Sequence, residues 1–175
     1  MLYLLDGQET ERLNFKLLEP SDFDDWVELF KATEILKFIG QDEKTKPEEL
    51  CEKWFEKIFD RYQNDLGGMN VLIDKNTNSL IGQCGLLVQE VDSIQEVDSI
   101  QELEIGYSIL PKFWNKGYAT EAAIKCKEVA FSNNYSDSLI SIIHTENIGS
   151  KKVAINNGMK LDKTTIFKDM QVNIF

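Results

Sequence analysis

The segment from residue 102 to residue 130 restricts the fold more than any other part of this chain. Its first part alternates apolar with polar residues, which is the period of a β-strand, and the apolar members are Leu103, Ile105, Tyr107 and Ile109. Pro111 ends this strand, and Gly117 lies in the loop that follows. Small apolar residues then recur at helical spacing: Ala119, Ala122, Ala123, Cys126, Val129 and Ala130. Small side chains let a helix lie close on a sheet, so the segment predicts a strand–loop–helix unit.

Strand and helix patterns alternate along the rest of the chain, with no linker rich in Pro, Gly or Ser between them. Strand patterns cover residues 12–17, 69–74, 80–88, 102–109, 139–143, 164–167 and 170–175. Helical patterns cover residues 23–30, 45–62, 118–130 and 147–157. Ser21 is the expected N-cap of the first helix, and Gly67 with Gly68 is expected to close the second. A length of 175 residues suits one core, so we predict a single α/β domain over residues 1–175.

A hexapeptide repeat interrupts this order. Residues 89–94, Gln-Glu-Val-Asp-Ser-Ile, recur unchanged as residues 95–100. The period is too short for a solenoid unit, and because it is even, an extended chain keeps the same faces after the insertion. We interpret the repeat as a local duplication that lengthens a hairpin connection. The alternative, a functional acidic arm, stays open.

The charge balance bears on the classes of partner. The chain has 30 acidic and 19 basic residues, a formal net charge of −11. Nucleic acids and anionic membranes bind basic surfaces, so we expect neither as a partner. A basic acceptor molecule is compatible with this charge, but the repeat itself supplies part of the acidic excess.

The cysteine and histidine content excludes several kinds of site. Cys51, Cys84 and Cys126 are scattered, and the chain has one histidine, His144. This set predicts neither a disulfide framework nor a metal site. The cysteines and His144 are interpreted as structural residues. With no long apolar run and no signal-peptide pattern at the start, the expected location is the cytoplasm.

The loop before the predicted helix at residues 118–130 is a candidate anion site. A helix N-terminus carries unpaired N–H groups and partial positive charge. Gly117 lets the backbone approach a ligand closely, and Ala119 presents almost no side chain. We interpret the loop as a pyrophosphate cradle built from main-chain donors. A plain loop-to-helix start is the alternative.

A series of short motifs extends this interpretation to nearly the whole chain. They are Thr10-Glu11-Arg12-Leu13, Leu80-Ile81-Gly82, Glu104-Ile105-Gly106-Tyr107, the loop at residues 114–122, Asn147-Ile148-Gly149-Ser150 and Gly158-Met159. In this order they resemble the GCN5-related N-acetyltransferase (GNAT) superfamily, and in particular the branch that acetylates N-terminal amines of ribosomal proteins. Met159 stands where that branch typically has Phe.

The resemblance implies a mixed, mostly antiparallel sheet of about seven strands, split between the fourth and fifth, with helices on both faces. Acetyl-CoA is the implied co-substrate and would lie in the split. Its pyrophosphate would contact the amides of Asn115, Lys116, Gly117, Tyr118, Ala119 and Thr120. Its pantetheine would pair with backbone near Ser108, Ile109 and Leu110, and Asn147 would contact the CoA arm from the other side.

The implied chemistry needs a base and an acid. An amine attacks only when neutral, so a carboxylate beside the split must take its proton, directly or through water. Glu104 is the candidate and Glu102 the second choice; a solvated strand carboxylate is the alternative for both. Many members of the superfamily protonate the leaving thiolate with a tyrosine at the position of Ala154. Ser150 is therefore a candidate acid, with a cap or CoA contact as the alternative. Proton return from the substrate or water would serve instead.

The acceptor is the least determined feature. The expected reaction is direct acetyl transfer to a primary amine, either a peptide or protein N-terminus, including a ribosomal one, or a small amine. The alternative is a catalytically inactive acyl-CoA-binding regulatory module, which the absent tyrosine and the acidic repeat motivate. A monomer and a homodimer are both compatible with the sequence.

Overall fold

The structure, a computed structural model, describes residues 2–92 and 99–175. Seven strands are found in this part of the chain: β1 (Leu13–Lys16), β2 (Gly67–Asp74), β3 (Leu80–Asp92), β4 (Ser99–Ile109), β5 (Ile142–His144), β6 (Lys163–Phe167) and β7 (Met170–Ile174). Its five α-helices are α1 (Phe23–Lys31), α2 (Thr33–Leu36), α3 (Pro47–Gln63), α4 (Tyr118–Ser132) and α5 (Ile148–Asn156). The mixed α/β class is confirmed.

The strands form two sheets, with the division where the resemblance placed it. One sheet has the order β1-β2-β3-β4 and the other β5-β7-β6, and all pairs within them are antiparallel. Between the sheets the chain makes one parallel bridge, in which Ile105 N–H donates to the Ile140 carbonyl at 2.8 Å and Ile140 N–H donates to Leu103 at 3.0 Å. Beyond this bridge β4 and β5 separate and leave the predicted split.

Two side chains reinforce this junction. Ser141 is buried, and its hydroxyl donates to the Ile105 carbonyl at 2.8 Å. Tyr107 reaches farther across, and its hydroxyl donates to the Ser150 carbonyl at 2.8 Å. Both bonds join β4 to the part of the chain that carries β5 and α5.

Helices cover both faces of the first sheet, as expected. On one face α1 and α3 pack against β2 and β3, with a core that includes Trp26, Phe30, Phe55, Ile58, Met69, Val71 and Leu87. On the other face α4 packs through Ala122, Ala123 and Cys126, all fully buried. The small residues predicted to allow a close approach therefore do face the sheet. Cys84 lies opposite Cys126, with 3.5 Å between the Sγ atoms, so the prediction that both are core residues is confirmed.

The start of α1 differs from the prediction. Ser21 is not the N-cap; it lies within a 3₁₀ turn over Pro20–Asp22, and the helix begins at Phe23. The side chain of Asp22 accepts from the Glu19 N–H at 2.9 Å and from Lys16 Nζ at 2.7 Å. Asp22 therefore organises the entry to the helix through contacts that short-range spacing does not reveal.

The glycine pair after α3 also has another role. Gly67 and Gly68 do not end the helix but begin β2. A Cβ on Gly67 would lie 2.1 Å from the Leu86 carbonyl, and one on Gly68 would lie 2.6 Å from the Tyr62 ring. Close packing of β2 against β3 and α3 explains the pair. The helix ends at Gln63 instead, with Asn64 as its C-cap.

The last half of the chain follows the expectations more loosely. The apolar run 139–143 is not a strand buried on both faces: only Ser141 and Ile143 are buried, and β5 begins at Ile142. The run is divided because its first residues bridge to β4 and its last pair with β7. α5 and the final hairpin match the prediction, and the short α2 was not predicted.

The repeat lengthens the β3–β4 hairpin, as predicted. Residues 89–92 pair with residues 99–102 in continuous antiparallel register. Residues 93–98, which include the expected turn, lie outside the described residues.

Replacing Ser141 by Ala is expected to lower the free energy of unfolding by about 1–3 kcal/mol, because the Ile105 carbonyl loses a buried donor. Chemical denaturation measures the loss. Ser132→Ala is the matched control: that hydroxyl is exposed and donates within its own helix, so we expect a change below about 0.5 kcal/mol. Equal losses in the two variants would contradict a role for Ser141 at the junction.

Candidate active site

The loop before α4 presents a row of unpaired backbone donors. In the described chain, none of the N–H groups of residues 115–120 donates to a protein acceptor; the first bond of the helix runs from Glu121 N–H to the Gly117 carbonyl at 3.0 Å. Gly117 is left-handed, with φ 82°, and so is Asn115, with φ 58°. This turn directs successive amides to one side at the positive end of α4. The geometry suits a pyrophosphate.

Arg12, which immediately precedes β1, holds this loop in place. Its Nη1 donates to the Lys116 carbonyl at 2.9 Å, and its guanidinium lies 4.4 Å from the centre of the Tyr118 ring. It also forms an ion pair with Glu121 at 2.6 Å. The Tyr118 hydroxyl donates in turn to Asp74 at 2.9 Å. No role of the Arg12 side chain was predicted from the sequence, although Arg12 belongs to the Thr10-Glu11-Arg12-Leu13 motif that supported the resemblance.

Glu121 is the electrostatic centre of these contacts. Burial alone would raise its pKa, but hydrogen bonds from Thr10 and from the backbone and side chain of Arg12, with the Arg12 charge, outweigh burial and hold that pKa below its ordinary value. The carboxylate is therefore charged throughout the neutral range. Its negative charge compensates the positive charge of Arg12. The backbone amides of the loop then supply the partial positive charge at this site.

Along β4, the backbone N–H and C=O groups of alternate residues point into the split. Leu110 N–H donates to the Ile81 carbonyl at 3.0 Å, whereas Ile105 N–H points to the second sheet. Neighbouring residues of a strand turn their backbone groups to opposite sides, so Ser108 and Leu110 face β3 while Tyr107 and Ile109 face the split. The Ile109 carbonyl accepts from Trp114 Nε1 at 2.7 Å. Of the three residues predicted to meet pantetheine, Ile109 is the one whose backbone N–H points into the split.

Asn147 and Ser150 meet at the start of α5, on the other side of the split. The Asn147 carboxamide oxygen caps the helix by accepting from Ser150 N–H at 3.0 Å. Tyr107 packs beneath α4, and its hydroxyl also donates to the Ser150 carbonyl. Ala154, at the position of the absent tyrosine, is buried against Ile143 and Phe175.

Glu104 lies at the bridge where the split begins. Its carboxylate accepts from Gln89 Nε2 at 2.6 Å and from the Ile142 N–H at 3.4 Å. Burial raises its pKa, although these two hydrogen bonds and the positive charges of Arg61 and Lys57 oppose the rise. A carboxyl with a raised pKa in a cleft fits a proton acceptor. Glu102 lies two residues earlier on the same face of β4, opposite Gln89.

A cavity of about 470 Å³ lies beside Gln89, the residue that binds Glu104. It lies between the β3–β4 hairpin, the segment joining α3 to β2, and the β6–β7 turn, and its lining residues are Leu66, Val88, Gln89, Glu90, Gln101, Ile166, Phe167 and Lys168. Gln89 contributes to the wall and also binds Glu104. The volume is that of a pocket for a small ligand.

His144 has structural contacts. Its ring lies 5.5 Å from that of Phe38, and its Nδ1 accepts from the Glu146 N–H at 3.2 Å. The described residues contain no group of three or more His, Cys, Asp or Glu placed to hold a metal ion. None of the helices described has the length and apolar content that a bilayer crossing requires.

Comparison with known proteins identifies the family. A family model, the acetyltransferase (GNAT) domain, matches residues 12–160. This chain belongs to the GNAT family. The matched domain is an acetyltransferase domain, and two similar curated proteins, p20 and YoaA, are named as uncharacterized N-acetyltransferases.

The curated relatives of this GNAT chain come from Bacillus. The uncharacterized protein YkkB of Bacillus subtilis (strain 168) is 35% identical over 91 residues, which are 52% of this chain and 49% of YkkB. The chain thus spans about half the length of that relative. The p20 protein of Bacillus licheniformis is 24% identical over 162 residues, 93% of this chain and 85% of p20.

Solved structures share the GNAT fold over the whole chain. An acetyltransferase of Agrobacterium tumefaciens str. C58 has a TM-score of 0.78 at 20% identity, covering 100% of this chain and 96% of that one. Spermidine N-acetyltransferase from Vibrio cholerae, in complex with CoA and spermine, has a TM-score of 0.70 at 16% identity, covering 94% of both chains. RimL, a ribosomal L7/L12 α-N-protein acetyltransferase in complex with CoA, has a TM-score of 0.73 at 12% identity, covering 96% of this chain and 93% of that one. The resemblance to the ribosomal-protein branch is confirmed at the level of the fold.

Replacing Glu121 by Gln is expected to destabilise the protein in a pH-dependent way. The pKa of Glu121 is lowered in the folded state, so its stabilising contribution is present above the unfolded pKa of about 4.3 and is lost as pH falls through the folded pKa. The difference in unfolding free energy between variant and wild type should therefore be largest at neutral pH and shrink in acid. Glu128→Gln, exposed on the same helix, should give a small difference. A pH-independent deficit in Glu121→Gln would contradict this account.

Proposed function

We propose that this GNAT protein transfers the acetyl group of acetyl-CoA to a primary amine by direct attack, without a covalent enzyme intermediate. The observation that carries this proposal is a set of unpaired amides and a half-buried carboxylate on one split. The amides belong to residues 115–120, and the carboxylate is that of Glu104. When bound, acetyl-CoA supplies an acetyl carbonyl activated by a thiolate leaving group.

The residues of the split fit such a co-substrate. The backbone N–H groups of Asn115, Lys116, Gly117, Tyr118, Ala119 and Thr120 would hold its pyrophosphate. The backbone of Tyr107 and Ile109 would pair with its pantetheine, with Ser108 and Leu110 keeping β4 fixed to β3. Ile109 N–H would also stabilise negative charge on the acetyl oxygen. The Asn147 side chain, whose oxygen caps α5, has its NH₂ group left to donate to the CoA arm.

Glu104 is the proposed general base. An α-amino group has a pKa near 7.7–8.0 and a lysine-like amine one near 10.4, so a proton must leave before or during attack. Burial raises the Glu104 pKa above its ordinary value, which makes the carboxylate a stronger base than an exposed one. Gln89 orients it by donating to one oxygen.

Ser150 is the proposed acid for the leaving thiolate. Its backbone is held from both sides, since Asn147 accepts from its N–H and Tyr107 donates to its carbonyl. These contacts fix the Ser150 backbone at the start of α5, which supports the proposal. Ala154 is buried and carries no proton to donate.

The acceptor class is proposed as a primary amine on a peptide or small molecule. The similar structures include one enzyme named for spermidine and one named for a ribosomal protein. We also propose that residues 1–175 form one N-acetyltransferase domain, which acts in the cytoplasm as a monomer or homodimer.

Replacing Gly117 by Glu is expected to weaken acetyl-CoA binding by at least about tenfold, because the new carboxylate repels the phosphates and strains the left-handed turn. Calorimetric titration with acetyl-CoA measures the change. Gly7→Glu is the matched control: Gly7 is also left-handed, at φ 73°, and has open space around it, so affinity should be retained. Unchanged affinity in Gly117→Glu would refute the cradle.

Replacing Glu104 by Gln is expected to lower kcat/KM by about 10²–10⁴-fold while acetyl-CoA binding persists. In the wild type, kcat/KM should fall as pH drops through the raised Glu104 pKa, above the ordinary carboxyl value, and the variant should lack this acid limb. Thiol release with a broad amine panel measures both.

Glu102→Gln is the control, with full activity expected. A loss confined to Glu102→Gln would move the base to that residue. Acetyl-CoA binding without turnover of any amine by the wild type would favour the inactive acyl-CoA-binding module.

A further inference from the structure

Trp114 connects the row of unpaired amides before α4 to the last residue of β4. Its backbone follows the 3₁₀ turn at Pro111–Phe113 and directly precedes the amides of residues 115–120. Its side chain reaches back by five residues, and Nε1 donates to the Ile109 carbonyl at 2.7 Å. Because that carbonyl points into the split, the indole lies in the split as well.

The peptide group between Ile109 and Leu110 is hydrogen-bonded on both sides. Leu110 N–H donates to the Ile81 carbonyl at 3.0 Å, and the Ile109 carbonyl accepts from the indole. The strand is also packed tightly from behind, because Gly82 lies opposite Ile109 and a Cβ on Gly82 would be 2.9 Å from the Ile109 Cα. The end of β4 is therefore held between β3 and the Trp114 ring.

The indole also changes the electrostatics at Ile109. The N–H and the C=O of one strand residue point to the same side, so both groups of Ile109 face the split. The carbonyl oxygen carries partial negative charge and opposes any negative charge that the neighbouring N–H stabilises. The indole N–H donates to this oxygen and offsets its charge. Ile109 then presents its N–H as the group that remains for a ligand.

The exposure of Trp114 sets it apart from the other tryptophans. Trp26 is fully buried, and Trp54 packs against the rings of Trp26 and Phe30. Trp114 remains 40% exposed, although burial of an aromatic ring is a main source of stability. Part of its ring surface is thus accessible to a ligand that runs along β4.

We propose that Trp114 is a positioning residue for acetyl transfer, whose indole N–H offsets the Ile109 carbonyl and holds the Ile109 N–H in place for the acetyl oxygen. This inference rests on the proposed function, in which that N–H stabilises negative charge. As the amine attacks, negative charge grows on the acetyl oxygen, so the contribution of Trp114 grows toward the transition state. Trp114 should therefore affect the chemical step more than it affects co-substrate binding.

Trp114→Phe is the diagnostic variant, because Phe keeps an aromatic ring and removes the N–H donor. We expect kcat and kcat/KM to fall together by about tenfold, as for an interaction made mainly in the transition state. Thiol release with the best amine of a broad panel measures both constants. Calorimetric titration should show a change in acetyl-CoA affinity well below that factor.

An infrared measurement observes the proposed hydrogen bond without any turnover. Acetyl-CoA isotope-labelled at the acetyl carbonyl is bound at saturation, and the carbonyl stretching frequency is compared with that of free acetyl-CoA. A hydrogen bond from Ile109 N–H lowers this frequency, and the lowering should be smaller in Trp114→Phe. A residue that only anchors the loop would not move the frequency at saturation.

Trp54→Phe is the matched control. It makes the same substitution and removes the same kind of bond, from the indole Nε1 to Gln83 Oε1 at 2.9 Å, but on α3. The carbonyl frequency of bound acetyl-CoA and kcat should both stay at the wild-type values.

The outcomes separate this inference from the acetyltransfer proposal. Turnover by the wild type with the same carbonyl frequency in wild type and Trp114→Phe would overturn the role of Trp114 and leave acetyl transfer standing. A tenfold loss of affinity for both CoA and acetyl-CoA at an unchanged frequency would also overturn it, by making Trp114 an anchor of the loop. A Trp114-dependent frequency without turnover of any amine would refute acetyl transfer and leave the assignment of Trp114 standing.

Discussion

Two hydrogen bonds between Ile140 and β4 determine the architecture of this protein. They join the four-stranded sheet to the three-stranded one at a single point, and the Ser141 hydroxyl adds a third bond there. Had β5 continued to pair with β4, the backbone groups of Tyr107 and Ile109 would be consumed within a sheet. Because pairing stops after one bridge, the second sheet leaves these groups unpaired and a gap opens, although the Ile109 carbonyl bonds to Trp114 Nε1 instead. Glu104 lies at the point of divergence, so the proposed base and the gap share one cause.

The other end of the split depends on a different feature, the start of α4. Successive amides at the start of α4 lack acceptors because Gly117 is left-handed and a helix cannot pair its first N–H groups internally. Arg12 and Glu121 fix that loop while neutralising each other. The interrupted sheet and the exposed helix start both belong to the segment that runs from β4 into α4. Together they supply donors at one end of the split and a proton acceptor at the other.

Local periodicity was sufficient to predict the strand–loop–helix unit that carries the loop. The small stripe of α4 is a property of the residues themselves, and it faces the sheet as expected. The split could not be read from periodicity; it came from resemblance, because a parallel bridge between residues 36 positions apart leaves no mark in local sequence. The same holds for Arg12 and Tyr107, whose hydrogen-bond partners are 104 and 43 residues away. Asp22 was missed for a related reason: its cap is completed by Lys16 on the preceding strand.

The contact of Arg12 with Glu121 has a consequence for how the protein assembles. It closes a loop of 109 residues, and closing a long loop costs conformational entropy before any contact is gained. A chain whose first strand is not yet docked therefore lacks the ordered amide row, even if α4 has already formed. Affinity for the co-substrate thus becomes a property of the completely assembled chain. A ligand that binds only that state shifts the folding equilibrium toward it by mass action, so the co-substrate proposed for the split would also stabilise the fold.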